Sequence, residues 1–421
     1  MKLRDFWQGQ KKDALIGLGV LFFFAALYYA FWAIYLNGVE GSKILLSNAA
    51  RFFWWANDAR SYQSAANWLF EGGDQGSILT RPWLYPFYLG LNKAVFGVRG
   101  ERMMWLGQLL MWFASIGLLY GALHNITKKV SLAILGATLL FVHPSPLILT
   151  FHGLTETLNI VLLTIFLWNV TRNEKRNDGL SLFLLALLTV TKPTYQLQLV
   201  LFLIYWAVKN FRRVNWKTLG IGALLLIPIW IQFGLTYAYN RSISISQIGG
   251  YTFKNYFVAS LYMDNEGTEW RPTMDLIEDW DTSEQLAYLG EYPLETIQVY
   301  FDNLVVDNLL THSFFALGEG NLAKNFTRNL NYGAVFLHII FLPLFGYFFL
   351  SPRFDWEQKE PLLIVYGIFV IQTLVTGISA GQEDRLIITG LPLWIASYIW
   401  LLYTLFLQGY PQKTQSYPQV S

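Results

Sequence analysis

Long apolar runs separated by short polar connections dominate the chain. The first run, 14–36, has 23 residues. A helix needs roughly 20 apolar residues to cross a bilayer, and the apolar core of a signal peptide has only about 7–15. We therefore expect a membrane helix that is retained in the protein. Further runs lie at 103–123, 130–150, 156–170, 179–191, 195–208, 218–239, 332–350, 361–379 and 387–408. The pattern predicts an all-α polytopic membrane protein with about ten transmembrane helices.

Two of these runs are shorter than a bilayer requires. The runs 179–191 and 195–208 are separated by Thr191-Lys192-Pro193-Thr194. Proline interrupts a helix, and an interrupted backbone is tolerated in a membrane only where protein or a water-filled cavity covers it. The pattern therefore predicts two half-helices or a re-entrant pair.

The distribution of basic residues predicts how the helices are threaded. Basic residues precede the first run and recur in the connections 124–129, 171–178, 209–217 and 351–360. Cytoplasmic connections are enriched in Lys and Arg, so we expect a cytoplasmic N-terminus. For the membrane itself we expect the plasma (inner) membrane. The long segments 37–102 and 240–331 would then lie on the outer or periplasmic face. We accordingly expect an N-terminal module (1–239), an external segment (240–331) and C-terminal helices with a polar tail (332–421).

Both long segments contain helical patterns of their own. In the first, apolar residues from Tyr62 to Phe70 recur at helical spacing, and Gly72-Gly73 predicts the end of that helix. Pro82 suits the first position of a second helix, and Gly97 suits its end. In the second segment, the apolar spacing of 294–310 predicts an amphipathic helix that lies on the membrane or caps a cavity.

Composition excludes several classes of function. Charged residues make up 14% of the chain, against about 25% in soluble domains. The net charge of +2 provides no basic surface for nucleic acid, and without cysteine there is no disulfide or thiolate metal site. The absence of Walker, Rossmann and D-x-D-type patterns argues against a soluble nucleotide-sugar donor.

Asp58 is the first candidate for chemistry. It opens the first external helix, after four aromatic residues and beside Arg60 and Tyr62. A carboxylate in this setting can act as a general base, which contributes roughly 10²–10⁴-fold in rate. A solvated loop acid is the competing interpretation.

Glu156 and His143 belong to the next outer connection. Glu156 starts an apolar helix, where Thr155 as a cap and the helix dipole would account for it. Alternatively, an ionisable residue at a membrane edge faces a polar cavity. The spacings of His143, His152 and Glu156 match no common metal site. We therefore assign no metal ligand, and the participation of a divalent cation stays open.

Three cations interrupt or precede apolar patterns, namely Arg81, Lys192 and Arg385. They either extend to the membrane interface or bind a phosphate through charge-assisted hydrogen bonds. For Arg385, local pairing within Glu383-Asp384-Arg385 is a further alternative. Tyr62 and Tyr85 would stack on sugar or lipid, or anchor the chain at the interface.

The ordered set of motifs resembles the GT-C superfamily of membrane glycosyltransferases, in particular the family of protein O-mannosyltransferases and the aminoarabinose transferase of lipid A. The family has an acid, a helix ended by glycine, a stretch like R-P-P-L-Y-P ended by F-G, H-P, T-E-T or T-E-S, a basic residue before Pro, and an Arg before L-P. These features are carried here by Asp58, Gly72-Gly73, Arg81–Pro86, Phe96-Gly97, His143-Pro144, Thr155–Thr157, Lys192-Pro193, Arg385 and Leu391-Pro392. This chain departs from the family at Trp83, which stands where the family has the second Pro. Ala59 follows Asp58 where many mannosyltransferases have a second acid, so mannose and a metal are not implied.

The resemblance implies a GT-C-type fold with external juxtamembrane helices and an inverting transferase. Its donor would be a sugar linked to polyprenyl phosphate, and its acceptor a glycan, lipid or protein hydroxyl. Asp58 would be the base, and Arg60, Tyr62, Arg81, Tyr85, His143, Glu156, Lys192 and Arg385 would bind substrate. An oligosaccharide polymerase or ligase, a lipid or sugar transporter or flippase, and a membrane scaffold are the alternatives.

Overall fold

A computed structural model describes residues 3–39, 57–73, 76–172, 176–211, 216–310, 322–379 and 384–407. Throughout these ranges the regular structure is helical, and no β-strand occurs. Two predictions, the local pairing of Glu383 and the polar tail, concern residues outside the described part.

The N-terminal half contains eleven described α-helices. They are α1 (Leu3–Val39), α2 (Asn57–Glu71), α3 (Leu84–Phe96), α4 (Gly100–Thr127), α5 (Val130–Val142), α6 (Pro144–Ile148), α7 (Glu156–Val170), α8 (Asp178–Thr189), α9 (Gln196–Asn210), α10 (Trp216–Leu225) and α11 (Ile227–Asn240). The apolar run 130–150 is bent by 62° where Pro144 follows His143. The run 218–239 is interrupted at Leu226, just before Pro228 in the first turn of α11. In both places the missing N–H of proline suits the start of a new helix.

The second half continues with nine described α-helices. They are α12 (Ile248–Thr252), α13 (Ala259–Glu266), α14 (Trp270–Leu276), α15 (Thr282–Glu291), α16 (Pro293–Phe301), α17 (Leu322–Leu350), α18 (Trp356–Val375), α19 (Arg385–Ile388) and α20 (Leu391–Leu402). π-helical segments extend three parts of this region, at Phe253–Val258, Asp302–Leu309 and Tyr403–Leu407. Helix α20 packs against α4, α5 and α7. One continuous apolar core therefore contains both early residues such as Leu119 and late ones such as Trp394.

Several helices have the length and apolarity needed to cross a membrane. Four in the described ranges qualify, namely Lys12–Tyr35, Leu84–Thr127, Lys324–Leu350 and Trp356–Ile378, and the bent pair within 130–151 makes up to five. Three shorter apolar helices, Glu156–Val170, Asp178–Thr189 and Leu391–Leu407, accompany them. Large apolar side chains such as Phe23 and Ile339 face outward, which suits lipid contact and not water. The chain is thus an integral membrane protein. The number of about ten spans and the three-part division stay predictions.

The described part of the segment 37–102 contains the two predicted helices. Helix α2 ends at Glu71 and is followed by Gly72 with φ of +76°, while α3 ends before Gly97 with φ of +53°. Left-handed φ values favour glycine, which explains both ends. Pro82 lies before α3 instead of in its first position, because Trp83 precedes the first helical residue. Helices α2 and α3 pack against each other.

The amphipathic pattern of 294–310 forms α16 and the following π-helical segment. Tyr300 Oη donates to the carbonyl of Leu374 at 2.6 Å, close to the end of α18. Asn308 Nδ2 donates to the carbonyls of Thr376 and Ser379 at 3.2 and 3.0 Å. The segment is therefore fixed at the end of a helix long enough to span the membrane.

One face of α16 is apolar and uncovered. Leu294, Ile297 and Phe301 expose 76%, 55% and 53% of their surface, whereas Val299 is buried against α13 and its π-helical extension. The three exposed residues follow the i, i+3, i+7 spacing of one helical stripe; we call them the apolar ridge. Its place beside the end of α18 favours contact with the bilayer interface over the capping of a cavity.

We predict that the apolar ridge inserts into the membrane surface. The chain has no native cysteine, so Ile297→Cys and Glu295→Cys can each carry a single nitroxide without further substitution. In nanodiscs, power-saturation EPR should show the label at 297 to be more accessible to oxygen than to a polar nickel chelate. The control at the exposed Glu295 should show the reverse. Equal, polar accessibility at both positions would contradict the prediction.

Candidate active site

Five charged side chains that are far apart in sequence form one connected ion chain. Arg81 Nη2 lies 2.9 Å from Asp58 Oδ1, and Arg385 Nη2 lies 2.7 Å from Asp58 Oδ2. Glu156 Oε1 lies 3.4 Å from Arg385 Nε and 3.2 Å from Lys192 Nζ. The order is therefore Arg81, Asp58, Arg385, Glu156, Lys192, with alternating sign. We call this set the ion chain.

Helices α2 and α3 hold the end of the ion chain that consists of Arg81 and Asp58. Asp58 stands in the first turn of α2, where a carboxylate is favoured by the helix dipole. Arg81 Nε donates to Ser61 Oγ at 2.7 Å, and the guanidinium lies 4.8 Å from the ring centre of Tyr62. Since Ser61 and Tyr62 are three and four residues after Asp58, all three face the same side of α2. Arg81 is thus held by three successive contacts to one helix.

Hydrogen bonds place the start of α3, which follows Arg81, beside the end of α8, which precedes Lys192. The backbone N–H of Leu84 donates to the carbonyl of Val190 at 3.3 Å, which joins the start of α3 to the end of α8. Trp83 is fixed to α11 through Gln232. The predicted break between α8 and α9 is present, as a 3₁₀ turn over Pro193–Tyr195, and protein covers it because Lys192 and Tyr195 are buried.

Arg385 is held by the start of α19, which packs on α18. Gln372 Nε2 donates to the carbonyl of Leu386 at 3.0 Å and also bonds Thr389. Tyr195 Oη and Thr389 Oγ1 lie 3.2 Å apart. The turn that follows Lys192 is therefore joined directly to the helix that carries Arg385.

Glu156 has a different environment from the one expected of a simple helix start. Thr155 occupies the capping position, but its side chain makes no capping hydrogen bond, so its expected capping role is wrong. Glu156 is 2% exposed and pairs with both Lys192 and Arg385 through Oε1. Its second oxygen, Oε2, is buried without a hydrogen-bond partner in the described residues. An acid buried this deeply requires its cations, because an unpaired buried charge is costly.

The ion chain has three cations and two carboxylates, so it carries a net charge of +1. Asp58, one third exposed, is its most accessible member, while the side chains of Arg385 and Glu156 are 8% and 2% exposed. Burial alone would raise the pKa of Asp58, but the guanidiniums of Arg385 and Arg81 outweigh it and hold the pKa below its ordinary value of 3.8. Asp58 is therefore a carboxylate at neutral pH, and the excess positive charge suits an anionic ligand.

The other predicted binding residues lie around the ion chain or away from it. Tyr62 contacts Arg81 and packs edge-on against Tyr85. Tyr85 Oη donates to Gln108 at 2.9 Å. His143 Nε2 lies 3.1 Å from Asn331 Oδ1 and is not a member of the ion chain. Arg60 is exposed, and it joins none of the ion pairs found among the described residues.

A second charged group lies at the other end of α8 and lines a cavity of about 540 Å³. Arg176 pairs with Asp178 at 2.6 Å and with Glu360 at 3.2 Å, and Lys209 pairs with the same two acids at 2.9 and 3.1 Å. Two cations and two carboxylates balance each other there. This group joins α8, α9 and α18, and Glu357 also lines the cavity.

Metal binding has little support in this geometry. In the described ranges, no group of three or more His, Asp or Glu residues is arranged to hold a metal ion. The two carboxylates of the ion chain are already paired with guanidinium and ammonium groups. A hard divalent cation prefers several free oxygen ligands.

Sequence reasoning missed the neutral residues that support the site. Four neutral side chains make hydrogen bonds to the site or between its helices, namely Ser61, Gln108, Tyr195 and Gln372. Gln108, for example, donates to the carbonyls of Thr150 and His152 at 2.8 and 2.9 Å. The available signal was the occurrence of an amide within an apolar helix, since buried amides need partners.

Comparison with known proteins gives one structural likeness. No protein-family model matches the sequence, and no curated protein matches it. Among solved structures, the chain is similar to ArnT from Cupriavidus metallidurans, whose crystal structure is described as bound to undecaprenyl phosphate. The sequences are 13% identical, the TM-score is 0.49, and the likeness covers 92% of this chain. The chain spans 60% of the length of that structure.

We predict that Glu156→Gln destabilises the protein strongly. The substitution leaves Lys192 and Arg385 buried beside a neutral amide, and breaking a buried ion pair costs about 3–5 kcal/mol. Thermal unfolding in detergent, followed by the fluorescence of the 17 tryptophans, measures the effect. The matched control Glu295→Gln removes an exposed acid and should change stability by less than about 0.5 kcal/mol. Equal melting temperatures for the two variants would show that the ion chain is not needed for stability.

Proposed function

We propose that this protein is an inverting glycosyltransferase. It transfers a sugar from a polyprenyl-phosphate-linked donor to an acceptor hydroxyl at the outer face of the membrane. The observation that carries the proposal is the convergence of Asp58, Arg81, Glu156, Lys192 and Arg385 in one ion chain. The sequence motifs named the same five residues separately, over a span of more than three hundred positions.

The charges support the proposed donor. A glycosyl phosphate is anionic, and its phosphate gains further charge as the bond to the sugar breaks. Arg81 and Arg385 are fixed guanidiniums that suit phosphate recognition, and Lys192 supplies a third positive charge. Groups already in position stabilise developing charge without the cost of reorganising solvent.

Position and charge support the following role for each residue. The Asp58 carboxylate takes the proton of the acceptor hydroxyl, and the acceptor oxygen attacks the anomeric carbon. The bond between that carbon and the phosphate oxygen breaks, and the electron pair leaves with the polyprenyl phosphate. Arg81, Arg385 and Lys192 hold this leaving group. Glu156 keeps Lys192 and Arg385 in place and through them helps to orient the acceptor or the sugar.

The remaining site residues have supporting roles in this proposal. Tyr62 and Tyr85 form the aromatic wall behind Arg81. His143 acts through the buried polar group at Asn331, and Arg60, exposed beside Asp58, meets the acceptor. The N-terminus would be cytoplasmic and the site periplasmic, in a plasma membrane. The acceptor would be a glycan, a lipid or a protein.

The alternatives fit the charges less well. A polymerase or ligase would draw cations from the long external segment, but 240–331 has 13 acidic and 5 basic residues. A transporter or flippase would place polar sites in broken helices of two matched halves. A membrane scaffold should tolerate Asp58→Asn, whereas a transferase should not.

The decisive experiment is a transfer assay in nanodiscs with a panel of radiolabelled polyprenyl-phosphate sugars and crude envelope acceptors. Wild-type protein should move label to an acceptor. Asp58→Asn should lower the rate by about 10²–10⁴-fold, the usual contribution of a general base. The control Asp279→Asn changes an exposed external acid and should keep full activity. Undiminished transfer by Asp58→Asn would remove the assigned base, and absence of transfer with every donor and acceptor would favour the transporter or the scaffold.

The pH dependence gives a separate prediction. Since the pKa of Asp58 lies below 3.8 in the ligand-free protein, its carboxylate persists until the pH falls through that lowered value. The profile of kcat/KM for the donor reports groups of the free enzyme. It should show no acid limb from Asp58 between pH 8 and pH 5 (roughly the stable range of proteins). An acid limb in this range that is lost in Asp58→Asn would contradict the assignment.

A further inference from the structure

The contacts of Asp58 conflict with the separate roles that the proposed function gives to Asp58 and to the two arginines. The proposed function requires Arg81 and Arg385 to donate to a phosphate, and it requires Asp58 to accept a proton. In the structure these groups satisfy one another, with Asp58 Oδ1 on Arg81 and Asp58 Oδ2 on Arg385. One carboxylate thus bridges the two guanidiniums.

A carboxylate and a phosphate offer guanidinium groups the same kind of ligand. Both present oxygens at a spacing that a planar N–H fork binds, and both gain from the positive charge. The N–H groups that point at Asp58 therefore point to where a phosphate oxygen would bind. Resting Asp58 and a bound phosphate compete for one place.

We propose that Asp58 occupies the phosphate site of the resting enzyme and is displaced when the donor binds. This inference rests on the proposed function and adds an order of events to it. The donor phosphate binds the two guanidiniums, and the side chain of Asp58 rotates towards the acceptor. Only then is Asp58 available as the base. When the product polyprenyl phosphate leaves, Asp58 returns to the guanidiniums.

The surroundings of the two arginines support the exchange. Arg385 keeps its contact with Glu156, and Arg81 keeps Ser61 and Tyr62, when Asp58 moves away. Both guanidiniums therefore stay in place. Asp58 is the member of the ion chain with the greatest exposure, and its movement requires only rotation of a short side chain.

The displacement of Asp58 by phosphate also explains how Asp58 becomes a stronger base. Paired with two guanidiniums, Asp58 has a lowered pKa and a small tendency to take a proton. A phosphate on Arg81 and Arg385 neutralises those cations and adds negative charge nearby, so the pKa of Asp58 rises. The other ionisable groups around it are Tyr62, Tyr256, Glu156 and Lys192. Proton transfer from the acceptor is thereby favoured only in the donor complex.

Binding measurements test the inference without any turnover. Wild type, Asp58→Asn and Arg81→Gln, each in detergent, are titrated with a short isoprenyl monophosphate, with inorganic phosphate, and with the isoprenol of equal length. If Asp58 competes with phosphate, Asp58→Asn should bind the isoprenyl monophosphate at least about tenfold more tightly, which equals about 1.4 kcal/mol. Arg81→Gln should bind it more weakly, and the isoprenol should bind all three proteins equally.

The remaining outcomes separate this inference from the proposed function. If wild type and Asp58→Asn bind the monophosphate equally, or Asp58→Asn binds it more weakly, the competition is refuted while the phosphate site stands. If no protein prefers the monophosphate to the isoprenol, both proposals fail. If Asp58→Asn also binds inorganic phosphate more tightly than wild type does, the competition lies at the phosphate head group. If Asp58→Asn binds only the isoprenol more tightly, the inference is overturned. Asp58→Ser repeats the test if Asp58→Asn does not elute as a single folded species.

A kinetic measurement provides a second test. The acid limb of kcat reports the donor complex, and that of kcat/KM reports the free enzyme. Displacement of Asp58 predicts that the acid limb of kcat lies at higher pH than that of kcat/KM for the donor. Coincident limbs would overturn the inference.

Discussion

The alternation of charge along Arg81, Asp58, Arg385, Glu156 and Lys192 is the constraint on which the rest of the site depends. Charges removed from water cost several kcal/mol each unless partners of opposite sign compensate them. Each member of the ion chain is the counter-ion of its neighbours, so no member can be placed without the others. Because the five residues belong to five different parts of the chain, satisfying their charges also determines how those parts assemble.

This assembly relies on neutral hydrogen bonds as much as on charge. The carbonyl of Val190, the hydroxyl of Tyr195 and the amide of Gln372 each join a charged element to a neighbour. Ion pairs alone have little directional preference, whereas these bonds determine which helix end meets which. Arg81 and Arg385 therefore each have contacts besides Asp58, namely those of Arg81 with Ser61 and Tyr62 and that of Arg385 with Glu156.

The segment 240–331 is attached to α18 in its described part. The bonds from Tyr300 and Asn308 attach α16 and its π-helical extension to the end of α18. The same extension packs against α19, which begins with Arg385. The apolar ridge and the ion chain are consequently joined through one short stretch of protein. This connection gives the acidic segment 240–331 a structural role beside the site, although its sequence resembled no known motif.

The sequence by itself determined the positions of the helices, because apolar runs, glycine ends and proline breaks act locally. It also identified the five members of the ion chain, since charges are conspicuous beside apolar patterns. It did not determine their pairing: Glu156 looked like an ordinary helix start, and Arg385 had a local partner available in Glu383. Pairing depends on distances between residues up to 327 positions apart, and no local pattern encodes such distances. Only the tertiary structure decided that Asp58 bridges two arginines, and that Tyr195, Gln372 and Gln108 hold the surrounding helices together.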